Sequence, residues 1–261
     1  MPTHTALISN MSQLPILFIN LDKDSERRAR MEQQLQQLHL CAQRLPAVWW
    51  QDLSTQQKAL HHKSESTHHR YFKPLGNGEK GCYCSHLAAC RALLESDAPA
   101  LVVFEDDVQL LPSLPKVLKA IQTLPAENWD MIKLYGRARE KIASRRPSGV
   151  PGHEWITYRR VPSFAAGYAI SRLGAEKILR SRIPFERPVD VDIRFWFEND
   201  LRIFGVYPSV IALDDTSFTS SIWPQKEAPM TLSQRLRKLA MKLQLTWGNA
   251  WAKHPHVRDL G

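Results

Sequence analysis

The stretch Ala100-Leu-Val-Val-Phe-Glu-Asp-Asp-Val108 decides how the chain is read. Five apolar residues in a row, two of them β-branched, have the length of a fully buried strand. The run stops at three consecutive carboxylates. Like charges this close repel, and one of the three is expected to protonate unless a cation joins them. Successive side chains of an extended segment point to opposite sides, so Glu105 and Asp107 share one side and Asp106 takes the other. An acid-x-acid pair on one side suits a hard cation, Mn2+ or Mg2+, which keeps positions open for phosphate oxygens. In open α/β sheets, ligands bind beyond the carboxyl ends of strands. The competing reading of the triplet is a solvated turn with helix-capping acids.

Working outward, Leu14 to Asn20 is another apolar run of strand length. A helix capped by Asp22 or Asp24 follows, with Met31, Leu35 and Leu38 at helical spacing. Residues 41–48 fit a second strand, and 49–78, polar and rich in His, fit a long loop. Helices are expected over 85–96, from Pro112 and Pro115 to Leu124, and over 173–181. Strands are expected over 129–134, 164–171 and 203–210, and a basic loop over 136–154. Strands alternating with helices predict an α/β fold with a mostly parallel central sheet flanked by helices.

With 261 residues and 43% apolar content, the chain can bury a large core. It contains no apolar run long enough to span a membrane, and its first residues lack a secretory pattern. Four Cys are too few for a disulfide scaffold. A cytoplasmic protein with reduced thiols is the expectation. The formal net charge of +9 is concentrated in residues 137–146 and in the tail after Thr231, which favours a phosphate-bearing partner: nucleic acid, anionic lipid or a nucleotide donor. A nucleic-acid binder would interleave aromatics with its basic runs, and residues 137–146 hold none.

Cys82, Cys84, His86 and Cys90 crowd residues 78–90. Cys82, His86 and Cys90 lie at i, i+4 and i+8, one stripe of a helix, with Cys84 far round from it. One helix cannot wrap these ligands into a tetrahedral zinc site. Cys82 and Cys90 are therefore read as small buried residues.

Several ordered motifs carry a resemblance: ILFINLDKDSERR (16–28), GEKGCYCSH (78–86), LVVFEDDV (101–108), AAGYAIS (165–171), RPVDVDI (187–193), and VYPSVI (206–211) followed by SFTSSI (217–222). Together they resemble glycosyltransferase family 25, the lipopolysaccharide and lipooligosaccharide galactosyltransferases. The resemblance implies a GT-A-like nucleotide-sugar-binding fold over 14–225 and a UDP-hexose donor, usually UDP-galactose. It also implies a metal on the acid-x-acid motif and an inverting transfer that makes a β-linkage to a glycolipid or oligosaccharide acceptor. Asn20, Leu21 and Arg27 match the family's nucleotide-binding start, with Arg27 either on the diphosphate or paired with Asp24, and Asp106 is grouped with them. His86 is a donor-phosphate contact or a satisfied core histidine. Gly167 admits donor or acceptor close to the backbone, or serves strand packing.

An inverting transfer needs a general base for the acceptor hydroxyl. The segment 184–200 offers Asp190 and Asp192; the resemblance points to the first, and helix capping is the competing role. Arg137 or Arg139 is expected to reach the diphosphate, and Asp214 or Asp215 to be a further metal ligand. Beyond the matched motifs, residues 226–261 form a basic helical tail. There Leu232, Leu236, Leu239, Leu243 and Trp247 share a face, and Arg235, Lys238 and Lys242 sit off it. This is the pattern of a helix lying on an anionic membrane, here the inner face of a bacterial inner membrane, or of one packed on the domain. A catalytically inactive, membrane-attached scaffold of the same fold is the remaining alternative.

Overall fold

The computed structural model describes residues 14–62, 70–136, 140–213 and 229–261. Arg137, Arg139, Asp214, Asp215 and the motif at 217–222 lie outside the described residues. The chain opens with β1 (Ile16–Asn20), buried throughout, then α1 (Ser25–Gln37), which turns Met31 and Leu35 inward, and β2 (Gln43–Pro46). A capping box at Ser54 starts α2 (Thr55–His61), and α3 (Asn77–Leu94) follows. Next come β3 (Ala100–Glu105), β4 (Val108–Leu110), α4 (Leu114–Gln122) and β5 (Met131–Lys133). β6 (Ile142–Pro147), β7 (Glu154–Tyr158) and β8 (Gly167–Ser171) lead into α5 (Arg172–Ser181). The short α6 (Val189–Asp192), β9 (Ile203–Tyr207), β10 (Ile211–Leu213) and α7 (Leu232–Trp251) complete the order.

Eight strands form one sheet in the order β2-β1-β3-β8-β5-β9-β7-β6, and β4 pairs with β10 in a separate ribbon. Helices α3 and α5 cover one face, α1 and α4 the other, each over its own apolar cluster. The expected α/β layering is present, but the sheet is mixed rather than mostly parallel. β1 runs parallel to β2 and β3, and β5 parallel to β9, while β8 is antiparallel to both β3 and β5. β7 is antiparallel to β9 and β6. A buried strand reads as an apolar run in either direction, so the sequence pattern carries no direction.

Three local expectations are corrected. Residues 136–154 are not all loop: β6 is one of the sheet's two edge strands, half exposed on alternate residues and rich in Arg, as edges commonly are. Residues 49–78 contain α2 and a 3-10 turn at Trp50–Asp52, and Trp50, Tyr71, Phe72 and Leu75 are buried in the core. α3 starts at Asn77, eight residues before the expected Ser85, because the Glu79 carboxylate accepts from the Gly76 N–H and holds the first turn in place (2.7 Å).

Helix α7 docks on the body. Leu245 and Asn249 are buried, the Trp196 indole donates to Asn249 Oδ1, and Gly248 lies against the Phe197 ring. Among the described residues no helix is long and apolar enough to cross a membrane.

Candidate active site

The parallel strands β1 and β3 end side by side, with Ile19 in register with Glu105. Their carboxyl ends therefore deliver Asn20 and the acidic triplet to one edge of the sheet. β8 runs against β3, so the segment entering β8 arrives at the same edge, and the Glu105 N–H donates to Ala166 O (2.9 Å). β5 brings Lys133 there, in register with Tyr168. This is the strand-end crevice where open α/β sheets place ligands.

β3 ends at Glu105, and Asp106 and Asp107 lie in the turn that follows, where the three carboxylates take different surroundings. Glu105 turns toward α3, where His86 Nε2 lies 3.0 Å from its Oε1 and the Cys82 thiol donates to the same oxygen at 3.6 Å. Asp106 turns toward β1 and α1, accepting from Asn20 Nδ2 (2.6 Å) and Arg27 (3.3 Å). Asp107 is different. Its Oδ1 is buried without a hydrogen-bond partner. Burial, then the charges of Glu105 and Asp106, push its carboxyl up to about 7, against the pull of Arg27.

Asn20 is 1% exposed and fully engaged. Its amide also donates to Asp24 O, and its Oδ1 accepts from Arg44 Nε, which ties β1 to β2. Arg27 pairs with Asp106, a partner the sequence did not indicate. Leu21 is half-buried and closes the turn into α1 through its carbonyl, which accepts from the Asp24 N–H.

On α3, Cys82 and His86 are four residues apart and share the face that meets Glu105. His86 is buried and uses both ring nitrogens, with Nδ1 2.8 Å from the Tyr168 hydroxyl. Cys82, His86 and Glu105 are the one group of potential metal ligands, among the described residues, that lies within 4.8 Å. The Cys82 thiol is nonetheless held well above its usual range by burial and by the carboxylates of Glu105, Asp190 and Asp107. It acts as a proton donor to Glu105, not as a bystander in the core as its spacing led us to expect. Cys84 and Cys90 are buried free thiols.

Asp190 and Asp192 are both on α6 but in different environments. Burial, then the Glu105 charge, raises Asp190, while the Val191 N–H, Lys133 and Arg194 pull it down. The Asp190 carboxyl thus feels the charge of Glu105. Asp192 is buried in an ion cluster: Oδ2 accepts from the Tyr83 hydroxyl (2.6 Å) and lies 3.3 Å from Arg182 Nε, and Oδ1 accepts from Arg187 (3.0 Å). Both oxygens are occupied, so Asp192 ties α6 to α3 and α5 instead of presenting a base.

Gly167 is likewise a packing residue. A Cβ there would stand 2.3 Å from Ile211 Cδ1 and 3.1 Å from the Phe104 ring. Lys133 went unnoticed in the sequence, although a lysine inside the apolar run of β5 is an anomaly. It is 1% exposed and donates to the carbonyls of Pro162, Ser163 and Phe164 at 3.1, 3.4 and 2.6 Å. Burial pushes it down to about 7, offset by Asp190, Glu140 and Glu105. Phe164 has φ +76°, so Lys133 clamps a backbone turn that a non-glycine residue rarely adopts. Behind it a cavity of about 20 Å3, room for one water, is lined by Tyr83, His86, Lys133, Tyr168 and Asp192 among others.

Oxygen ligands are what Mn2+ and Mg2+ take. Asp107 offers a buried Oδ1 without a protein partner, close enough to Glu105 and Asp106 to feel both charges, although the three carboxylates do not form a group within 4.8 Å among the described residues.

Comparison with known proteins agrees with the geometry. The family described as glycosyltransferase family 25 (LPS biosynthesis protein) matches residues 13–193, more than half of the sequence and all of the crevice. The chain belongs to glycosyltransferase family 25. Procollagen galactosyltransferase 1 of Danio rerio is 27% identical over 85% of this chain, which covers 41% of that protein. Procollagen galactosyltransferase 1-A of Xenopus laevis is 30% identical over 70% of the chain and 30% of its own length. The inactive glycosyltransferase 25 family member 3 of Mus musculus is 26% identical over 97% of the chain and 47% of its own length. The chain thus spans about half, or less, of these relatives.

Proposed function

We propose that this glycosyltransferase family 25 chain is an inverting hexosyltransferase of GT-A type. It moves galactose from UDP-galactose to a hydroxyl of a lipooligosaccharide or lipopolysaccharide acceptor and makes a β-linkage. It works at an anionic membrane, on the inner face of a bacterial inner membrane, as a peripheral protein. The observation that carries the transferase reading is Asp107, whose Oδ1 is buried without a hydrogen-bond partner and whose carboxyl is raised by the Glu105 charge, as that of Asp190 also is.

In this reading Asp107 and Glu105 hold Mn2+ or Mg2+. When bound, that cation supplies a Lewis acid that draws off charge from the diphosphate. His86 and Cys82 steady the Glu105 carboxylate so that it faces the crevice in one orientation. Asn20, Leu21 and the Arg27–Asp106 pair line the nucleotide end. Asp190 takes the proton from the acceptor hydroxyl, and its raised pKa brings its proton affinity nearer to neutral pH. The hydroxyl oxygen bonds to the anomeric carbon from the face opposite UDP. The bond from that carbon to the diphosphate oxygen breaks with its electron pair, and UDP leaves.

UDP-galactose, UDP-glucose and UDP-N-acetylglucosamine should be tested for hydrolysis and transfer, with Mn2+ or with chelator. Wild type should turn over one donor in a metal-dependent way, and Asp107→Ala should abolish it. Asp190→Asn should still bind UDP but transfer 10²–10⁴-fold more slowly, the usual contribution of a general base. Absence of donor binding and turnover under every condition would favour the inactive scaffold, the class to which some relatives belong.

A further inference from the structure

Helix α7 buries one side and exposes an apolar stripe on the other. Met241, Leu245, Gly248 and Asn249 face the body. At 100° per residue, Leu232, Leu236, Leu239, Leu243 and Trp247 fall on the opposite side, with Trp251 at its margin. These six side chains are 45 to 89% exposed. A 20-residue helix gives the stripe a length of about 30 Å. Soluble surfaces seldom leave so continuous an apolar strip uncovered.

The charges name the occupant. Arg235 and Lys242 flank one edge of the stripe, both exposed. The helix contains no Asp or Glu. A second copy of the chain would bring two basic helices together with no acid to pair them. An anionic lipid surface supplies apolar depth and negative charge together, and tryptophans at such a helix suit the headgroup level. We infer that the outward face of α7 is a lipid-binding surface: it inserts its Leu and Trp stripe into an anionic leaflet while Arg235 and Lys242 meet the headgroups. The assignment rests on the membrane-acceptor reading above. It also explains the docking of α7: the Trp196–Asn249 hydrogen bond and the Gly248–Phe197 contact join it to the 193–198 segment, which directly follows α6 and Asp190. The lipid-facing surface and the proposed base are thus carried on adjoining elements.

The full chain should be sedimented with vesicles of phosphatidylcholine alone or with 30% phosphatidylglycerol. Wild type should bind the anionic vesicles and bind neutral ones roughly tenfold more weakly. Leu236→Ser/Leu239→Ser/Trp247→Ser should lose binding at least tenfold. Arg235→Gln/Lys242→Gln should lose the preference for anionic lipid. All substituted residues are exposed, so thermal unfolding should be unchanged, and hydrolysis of soluble UDP-sugar should equal that of wild type. Wild type left in the supernatant, or triple-serine binding equal to wild type, overturns the assignment. So does concentration-dependent self-association that the serine variant removes. Intact vesicle binding with no donor turnover in any variant leaves the surface standing and sinks the transferase reading alone.

Discussion

Asp107 is the residue on which the enzyme reading turns. A carboxylate whose folded pKa is raised holds its proton more tightly folded than unfolded. Its ionisation therefore opposes folding progressively from the ordinary aspartate range up to about pH 7, and the whole penalty is present above that. Asp107→Asn should raise the stability of metal-free protein at pH 8 by about 1–3 kcal/mol, the cost of a buried unsatisfied group. The same variant should lose the rise in melting temperature that Mn2+ gives to wild type. Melting curves with Mn2+ and with chelator check both signs, and a destabilised variant would mean that Asp107 is a satisfied turn residue. The triplet was legible in the sequence, because three carboxylates after an apolar run are conspicuous. Its split was not, since β3 stops at Glu105 and alternation does not carry through the turn that holds Asp106 and Asp107. Asp192 was not separable from Asp190 in that way. Its partners Tyr83, Arg182 and Arg187 come from other elements, and only the fold shows that both its oxygens are consumed. Cys82 was misread for the same reason, since its partner Glu105 is on another element.

At the scale of elements, α3 sets the geometry of the crevice, because it carries Cys82 and His86 against Glu105. Its seat depends on Gly81. A Cβ there would stand 2.5 Å from Val48 O, a backbone atom with little freedom to retreat. The Ser85 hydroxyl, one turn on, accepts from the Val48 N–H (2.8 Å) and fixes the same contact. Gly81→Ala should therefore cost about 1–3 kcal/mol in stability, as overpacking does, despite the helix propensity that alanine adds. It should also weaken Mn2+ binding, because a displaced α3 moves His86 away from Glu105. Denaturant unfolding and metal titration read the two effects, and a stability gain would show that α3 shifts freely. Most elements were legible from apolar periodicity, including β1, β3, α4 and α5. The start of α3 was hidden because the polar stretch up to residue 78, with Gly76 and Gly78, suits a loop, and Gly81 lets the helix touch the backbone after β2. Strand direction was hidden too, since only pairing reveals that β8 opposes its neighbours.

At the scale of the molecule, the proposed function has charge and the site act on different substrates. The formal net charge is +9, and the exposed cations of α7 have no acidic neighbour within that helix. The donor crevice, by contrast, is built of half-buried and buried groups with partners inside the protein: Arg27 with Asp106, His86 with Glu105, and Lys133 with three carbonyls. Salt screens exposed charges over about 8 Å at physiological ionic strength and partly buried ones much less. Transfer to a glycolipid acceptor embedded in anionic vesicles should therefore fall about tenfold between 50 and 500 mM salt, given about 1 kcal/mol for each basic residue at an anionic surface. Hydrolysis of UDP-sugar by the same preparation should change far less. Parallel initial-rate measurements over the salt series test the separation. Equal loss in both reactions would place the salt-sensitive charge in the donor crevice, and no loss in either would mean that the basic face of α7 takes no part in reaching the acceptor.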